Sequence, residues 1–378
     1  VTTLRVITDQ MLARVPGGIG RYTEELTREL ITTAPPGCEV EGIIANHPQE
    51  KADELQQRLP GLVRLYKAPL GRRELSRAWQ YGIGIPIGGG MVHAPSLFAP
   101  LRGHDRARDG EQIAVTIHDT VPWTHPETLT PHGAKWHRTM AKRARKYADA
   151  VVVPTHAVAE QLAEVLDFGD RIRVIGGAVG SGLTLPDDAD ARAEALGLPA
   201  EYVLSVGTLE PRKGLVSLIT AMGRPEAPAL PLLIVGPTGW GELDVASVAE
   251  EQGLDEARVR ALGVLSDTDL ALVLSRATLF VYPSIAEGFG LPVLEAMHFG
   301  TPVVHSDDAA LLEVAAGAGV VVERKDAKGY PERLAIAMAT VLGDTELLTK
   351  LAVAGRDRAR AYSWRDSAER VWQLHADI

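Results

Sequence analysis

Short apolar runs, rich in β-branched residues and apolar on both faces, recur along the first half of this chain at 4–8, 40–45, 62–66, 91–94, 113–117 and 150–153. Between them lie stretches of helical period, such as 72–81 and a segment in which Tyr22, Leu26 and Leu30 share one face. Alternation of this kind predicts a doubly wound parallel sheet, because strands covered on both faces by helices carry no polar side. A glycine-rich run at 176–182, followed by polar residues at 186–190, predicts an interdomain connection and a hinge. A second series then repeats the pattern at 202–206, 231–235, 259–265, 278–282, 302–305 and 319–323, with helices from 331 onward. The expected organisation is an α/β chain of two Rossmann-like domains, 1–180 and 181–362, and a terminal helix at 363–378 with Trp364, Ala368, Val371 and Trp372 on one face. The segment 101–112 has no apolar period and is expected to be a mobile loop.

Composition narrows the function classes. With 378 residues, of which 46% are hydrophobic, the chain has enough apolar material for two cores. No stretch approaches the roughly 20 consecutive apolar residues of a membrane span, and the first residues lack the charged-then-apolar pattern of a signal peptide, so a cytoplasmic enzyme is expected. Cys38 is the only cysteine, which leaves no disulfide framework and no thiolate metal cluster. The net charge of -10 is uneven: residues 1–180 hold 22 Lys and Arg against 20 Asp and Glu, residues 181–378 hold 17 against 29. A nucleic-acid partner is excluded on this balance.

Chemistry concentrates where predicted strands end. The run 278–282 stops at Pro283, and Gly288 and Gly290 then precede Leu291-Pro292, which opens a helix whose first amides point at an anion. Glu287 and Glu295, with seven residues between them, frame this corner. A metal would need more ligands, and His298 is the only other one nearby. Carboxylates beside an anion-binding helix start suit hydroxyl groups, each charge-assisted bond being worth roughly 1.5–3 kcal/mol. A nucleotide sugar carries both phosphate and hydroxyls. The same residues also describe an ordinary helix start with a favourably placed glutamate.

Four further stretches share this strand-end logic. Gly17-Gly-Ile-Gly-Arg21 lies between a first strand and a first helix, where glycines let backbone approach a diphosphate and Arg21 adds charge; a structural turn would look the same. His118-Asp119 closes the strand at 113–117, where a histidine can donate to a sugar hydroxyl and an aspartate can cap a turn. Arg212 and Lys213, between the strand at 202–206 and a helix, offer two cations to a pyrophosphate without a metal. Asp267-Thr-Asp269 imitates a metal-binding Asp-x-Asp but follows Ser266, a natural N-cap, and is assigned to a helix start. The helix 134–147 carries Lys135, Arg138, Lys142, Arg145 and Lys146 opposite an apolar stripe, which reads as a solvated face or as a docking surface for an anionic acceptor or a membrane.

Glu287-Gly-Phe-Gly-Leu-Pro-x-x-Glu295 resembles the Glu-x7-Glu signature of the retaining glycosyltransferases of family four, which have the two-Rossmann-domain architecture called GT-B. The resemblance runs from Gly17 to the C-terminus. It implies that Glu287 holds donor-sugar hydroxyls, that Glu295 holds the ribose, and that the amides of Phe289, Gly290 and Leu291 face sugar and phosphate. It further implies that Gly17 and Gly18, with Arg21, close over donor phosphate and acceptor. His118 would lie at the donor sugar, and the backbone around Leu265 would pair with the nucleobase. The acceptor would bind the N-terminal half and the terminal helix would cross back to brace it. Two departures stand out: Thr208 occupies a position where the family often has arginine, so Arg212 and Lys213 would supply the phosphate charge, and a Pro-Asn-Gly turn common in the family is missing from the hinge.

The resulting expectation is a metal-independent enzyme that moves a hexose, mannose from GDP-mannose, to a hydroxyl of a saccharide acceptor with retention. The rivals are a UDP-glucose or other nucleotide-sugar transferase acting on a lipid-linked acceptor, a nucleotide-sugar epimerase of the same fold, and a sensor that binds without turnover. Membrane contact is not favoured, because the basic face of 135–146 has no large apolar residue among its cations and the overall charge opposes adsorption.

Overall fold

The computed structural model describes residues 1–239 and 243–378. Its contacts divide the chain into two compact units, Val1–Gly177 with Ser363–Ile378, and Ala178–Tyr362.

The first unit is built on seven parallel strands: β1 (Thr2–Ile7), β2 (Cys38–Ile44), β3 (Arg64–Lys67), β4 (Met91–Ala94), β5 (Gln112–Thr116), β6 (Ala150–Val153) and β7 (Ile172–Val174). They lie in the order β3-β2-β1-β4-β5-β6-β7, so the winding reverses between β1 and β4. Ile7, Ile43, Val92, Val115 and Val151 pack into one core with Trp79 and Met140 of the flanking helices. The helix Gly17–Thr32 packs on the terminal helix Trp364–Asp377, and Trp372 Nε1 donates to the Leu30 carbonyl at 3.1 Å. Burial of Val371 and Trp372 on that contact contributes about 1.5–3 kcal/mol for each side chain.

The segment 101–112 is tied down. Leu101 is fully buried, His104 Nε2 lies 2.8 Å from Asp149, Arg102 pairs with Glu111, and a four-residue helix Arg106–Asp109 follows the Asp105 cap. An anchor made of one apolar residue and two ion pairs leaves no period in the sequence, which is why a loose loop was the natural expectation.

The second unit has six parallel strands, β8 (Val203–Val206), β9 (Leu232–Val235), β10 (Val259–Gly263), β11 (Leu279–Tyr282), β12 (Val303–Ser306) and β13 (Val320–Val322), in the order β10-β9-β8-β11-β12-β13. Alternate residues feed two cores. Leu204, Leu233, Phe280 and Val303 enter one, while Val203, Leu232, Val281 and Val304 enter the other. Both faces are therefore covered, as runs without a polar side require. Among the described residues no helix is long and apolar enough to cross a membrane.

Candidate active site

In the second unit the winding reverses between β8 and β11, so the loops leaving these two strands mark the usual ligand position in an open α/β sheet. The loop after β8 ends in a short turn, Pro211–Lys213, closed by Gly214 at φ +66°. A Cβ on Gly214 would sit 2.2 Å from the Pro283 carbonyl oxygen, so only glycine lets this turn press against the loop after β11. The contact is stitched through backbone carbonyls: Ile285 N–H and Ser284 Oγ both donate to the Arg212 carbonyl, at 2.8 and 3.1 Å, and Arg212 Nη1 donates to the Ala286 carbonyl at 3.0 Å.

Glu287 is the hub of this corner. Its Oε1 accepts from Lys213 Nζ at 2.6 Å, from Tyr282 OH at 3.0 Å and from Ser284 Oγ, while Oε2 faces Arg212 Nη1 at 3.4 Å. Lys213 Nζ also donates to Tyr282 OH at 2.8 Å, and Arg212 Nη2 to Glu210 at 2.9 Å. Burial disfavours the Glu287 carboxylate, but Lys213 and Arg212 outweigh it and hold the group at about 2. Burial, and then the Arg212 charge, pull Lys213 below its usual range against the attraction of Glu287. Asp308, buried and near Glu287, is pushed up to about 6; its carboxylate accepts from the Glu287 N–H at 3.3 Å and caps the helix Ala309–Ala315. The sequence offers Arg212 and Lys213 as two cations for an anion. The structure adds that both are half-buried and already matched by carboxylates, because a cation withdrawn from water needs a partner.

The helix Leu291–Phe299 starts from Gly290 at φ +92°, where a Cβ would meet Leu311 Cδ2 at 2.3 Å, and no side chain caps it. Phe289 is buried, edge-on to Tyr362 at 5.4 Å; Leu291 is half-buried; Glu295 is buried in the second turn. Leu265 lies just past β10, partly buried against the core. Ser266 caps the helix Asp267–Arg276 by accepting from Asp269 N–H at 3.1 Å, and Asp269 pairs with Arg192 at 2.9 Å, so the Asp-x-Asp residues belong to a helix start. Tyr282, Ser284, Glu210 and Asp308 were missed in sequence. Asp308 had a usable signal, since it follows a strand end just as Glu287 does.

The first unit holds the remaining candidates. Gly17 and Gly18 form the first turn of the helix Gly17–Thr32, not the preceding loop; both are exposed, and a Cβ on either would meet no atom within 4 Å. Arg21 is half-buried in the next turn. The His118 ring lies edge-on to Tyr22 at 4.8 Å, with Nε2 at 2.7 Å from the Pro95 carbonyl. A carbonyl only accepts, so Nε2 carries the proton, and burial lowers the ring's proton affinity. The neutral ring therefore presents Nδ1 as an acceptor, whereas the sequence suggested a donor. Asp119 accepts from Val121 N–H at 3.1 Å and caps the turn. His118 lines a cavity of about 370 Å³ with Gln10, Ser96, Phe98, Trp123 and Trp136.

The basic helix, observed as Pro131–Tyr147, does not present one uniform face. Arg138 Nε donates to the Pro122 carbonyl at 2.6 Å and Arg145 Nε to the Asp167 carbonyl at 3.0 Å, so two of its cations are spent on structure.

Comparison with known proteins gives consistent matches. Residues 187–358 match the family described as Glycosyl transferases group 1, and residues 16–180 match Glycosyltransferase Family 4. The O-antigen chain mannosyltransferase B of Escherichia coli is 27% identical over 382 residues, covering 92% of this chain and 93% of that protein. The alpha-maltose-1-phosphate synthase of Mycolicibacterium smegmatis is 30% identical over 312 residues, covering 76% of this chain and 79% of that protein. Among solved structures, HepE from Anabaena in complex with UDP-glucose superposes with a TM-score of 0.73 at 18% identity, over 100% of both chains.

Proposed function

Because this chain belongs to glycosyltransferase family 4, whose retaining hexosyltransferases use nucleotide-sugar donors and typically need no metal, we propose that it transfers mannose from GDP-mannose to a hydroxyl of a saccharide acceptor. The observation that carries this reading is the Arg212–Lys213–Glu287 cluster at the winding reversal of the second sheet. The donor diphosphate binds beside Arg212, Lys213 and the start of the helix Leu291–Phe299, with the amides of Phe289, Gly290 and Leu291 facing it. Glu287, held ionised, accepts from sugar hydroxyls; Glu295 takes the ribose; the backbone at Leu265 takes the base. In the first unit, Gly17, Gly18 and Arg21 face the acceptor, and His118 Nδ1 accepts from a sugar hydroxyl.

In the reaction the bond from the anomeric carbon to the β-phosphate oxygen breaks and one to the acceptor oxygen forms on the same face. The acceptor proton passes to the departing phosphate. Charge grows on that phosphate in the transition state, where fixed donors act most strongly. Mannose is supported by the likeness to the Escherichia coli mannosyltransferase and by the segment His118-Asp119-Thr-Val-Pro122. A thermal-shift panel of GDP-mannose, UDP-glucose and the dTDP and ADP sugars, run with EDTA, tests it. Stabilisation by GDP-mannose is expected; stabilisation by a uridine sugar alone would replace the mannose assignment.

A further inference from the structure

Arg14, Arg73, Arg77 and Lys135 of the first unit line one cavity of about 750 Å³, and no Asp or Glu lines it with them. They come from three separate elements: Arg14 precedes the helix Gly17–Thr32, Arg73 and Arg77 lie one turn apart on the helix Arg72–Gln80, and Lys135 sits on the helix Pro131–Tyr147. Among the described residues none of these four side chains forms an ion pair or hydrogen bond. The neighbouring Arg72 shows the contrast, since it is held by the buried Asp9. Like charges converging without an acid repel one another, and an entering polyanion relieves that repulsion. Three guanidinium forks match phosphate oxygens pairwise, and four cations overmatch a single carboxylate. The volume is that of a small-ligand site.

This basic cavity adjoins the one that holds His118. Arg72, Ser76 and Trp136 line both, and Trp136 Nε1 donates to Ser76 Oγ at 3.0 Å in the shared wall. A ligand whose hydroxyl reaches His118 thus lies next to the cavity that holds the four cations. We propose that the acceptor carries a phosphate or diphosphate ester, bound by Arg14, Arg73, Arg77 and Lys135. This rests on the reading that the first unit receives the acceptor. Two sources share that chemistry, a free saccharide phosphate and a lipid-linked saccharide diphosphate; Tyr81, at 76% exposure, lines the cavity and offers a lipid chain an aromatic surface.

The test uses the full chain and the triple variant Arg73→Gln/Arg77→Gln/Lys135→Gln. With the donor site saturated by GDP, calorimetry with inorganic pyrophosphate should show binding to the wild type and at least tenfold weaker binding to the variant. In transfer assays a mannoside 1-diphosphate should have a KM at least tenfold below that of the methyl mannoside, and the variant should erase that difference while GDP-mannose still stabilises it equally. A further tenfold gain from a short prenyl chain on the diphosphate identifies the lipid-linked source; equal KM with and without the chain identifies the free one. Equal use of charged and uncharged mannosides by the wild type, with pyrophosphate binding unaffected by the triple variant, would overturn the proposal and leave the transferase reading intact. Failure of any sugar nucleotide to bind would instead strike that earlier reading.

Discussion

The candidate sites of the two units handle their cations in opposite ways. Arg212 and Lys213 are half-buried among Glu210, Glu287 and Tyr282, each held by a carboxylate at short range. Arg14, Arg73 and Arg77 line a cavity without acids and stay in reach of solvent. Water explains the difference: a buried ammonium needs a counter-charge, while a solvated guanidinium can wait for a ligand. The second unit therefore offers fixed charges for a constant group, a nucleoside diphosphate, and the first offers unmatched charges for a group that is present only when the ligand is.

The largest expected effect comes from removing Lys213. Lys213→Ala leaves Glu287 buried beside Arg212 alone, so stability should fall by about 3 kcal/mol. The lost phosphate contact should lower kcat/KM by about 10²- to 10³-fold. Adding Glu287→Gln should restore much of the stability and none of the activity. Denaturant melts and steady-state kinetics on the single and double variants separate the two effects, and wild-type kinetics in Lys213→Ala would remove the residue from the site. By contrast, Arg73→Gln alone should leave stability within about 0.5 kcal/mol, because it is solvated.

Backbone packing sharpens the same contrast at a smaller scale. Gly290→Ala drives a methyl into Leu311 and forces a left-handed backbone, and should cost about 2 kcal/mol. Gly17→Ala meets open space and should cost about 1 kcal/mol from its φ of +59° alone. Equal melting temperatures for the two variants would contradict the view that the second unit's corner is the rigid one.

The smallest effect is a pH dependence in the first unit. His93 and His375 are buried, their rings edge to face with centroids 5.6 Å apart and Nε2 of His375 3.4 Å from Nδ1 of His93, while Gln112 Oε1 lies 3.4 Å from His375 Nδ1 and the Asp149 charge acts on His375. Burial lowers His375 to about 4, against the opposing pull of Asp149, and holds His93 well below its usual range, where His375 adds a like charge. Both folded values lie under the unfolded value of 6.5, so the unfolded chain takes up protons first as pH falls. Their contribution is intact above 6.5 and is lost progressively as pH falls from 6.5 toward 4. Melting temperatures across that window should decline in the wild type and decline less in His375→Gln.

Much of the fold was legible because buried parallel strands are apolar on both faces. The runs at 91–94 and 150–153 coincide with β4 and β6, and most other ends moved by a residue or two. The Asp267–Asp269 segment was legible for a local reason, its cap lying next to it in sequence. What escaped depends on distance. Asp308 joins Glu287 only when β11 and β12 lie side by side, and residues 14, 73, 77 and 135 share a cavity only after three elements meet. The basic stripe of 135–146 misled in the other direction, since Arg138 and Arg145 reach carbonyls that no helical wheel displays.

The account turns on whether the Arg212–Lys213–Glu287 corner takes the diphosphate. The direct measurement is calorimetric titration of the wild type and of folded Lys213→Met with the nucleoside diphosphate selected by the thermal-shift panel and with its bare nucleoside. The diphosphate should bind the wild type at least tenfold more tightly than the nucleoside, and that advantage should vanish in Lys213→Met while nucleoside binding stays. An advantage of the same size in both proteins would contradict the assignment.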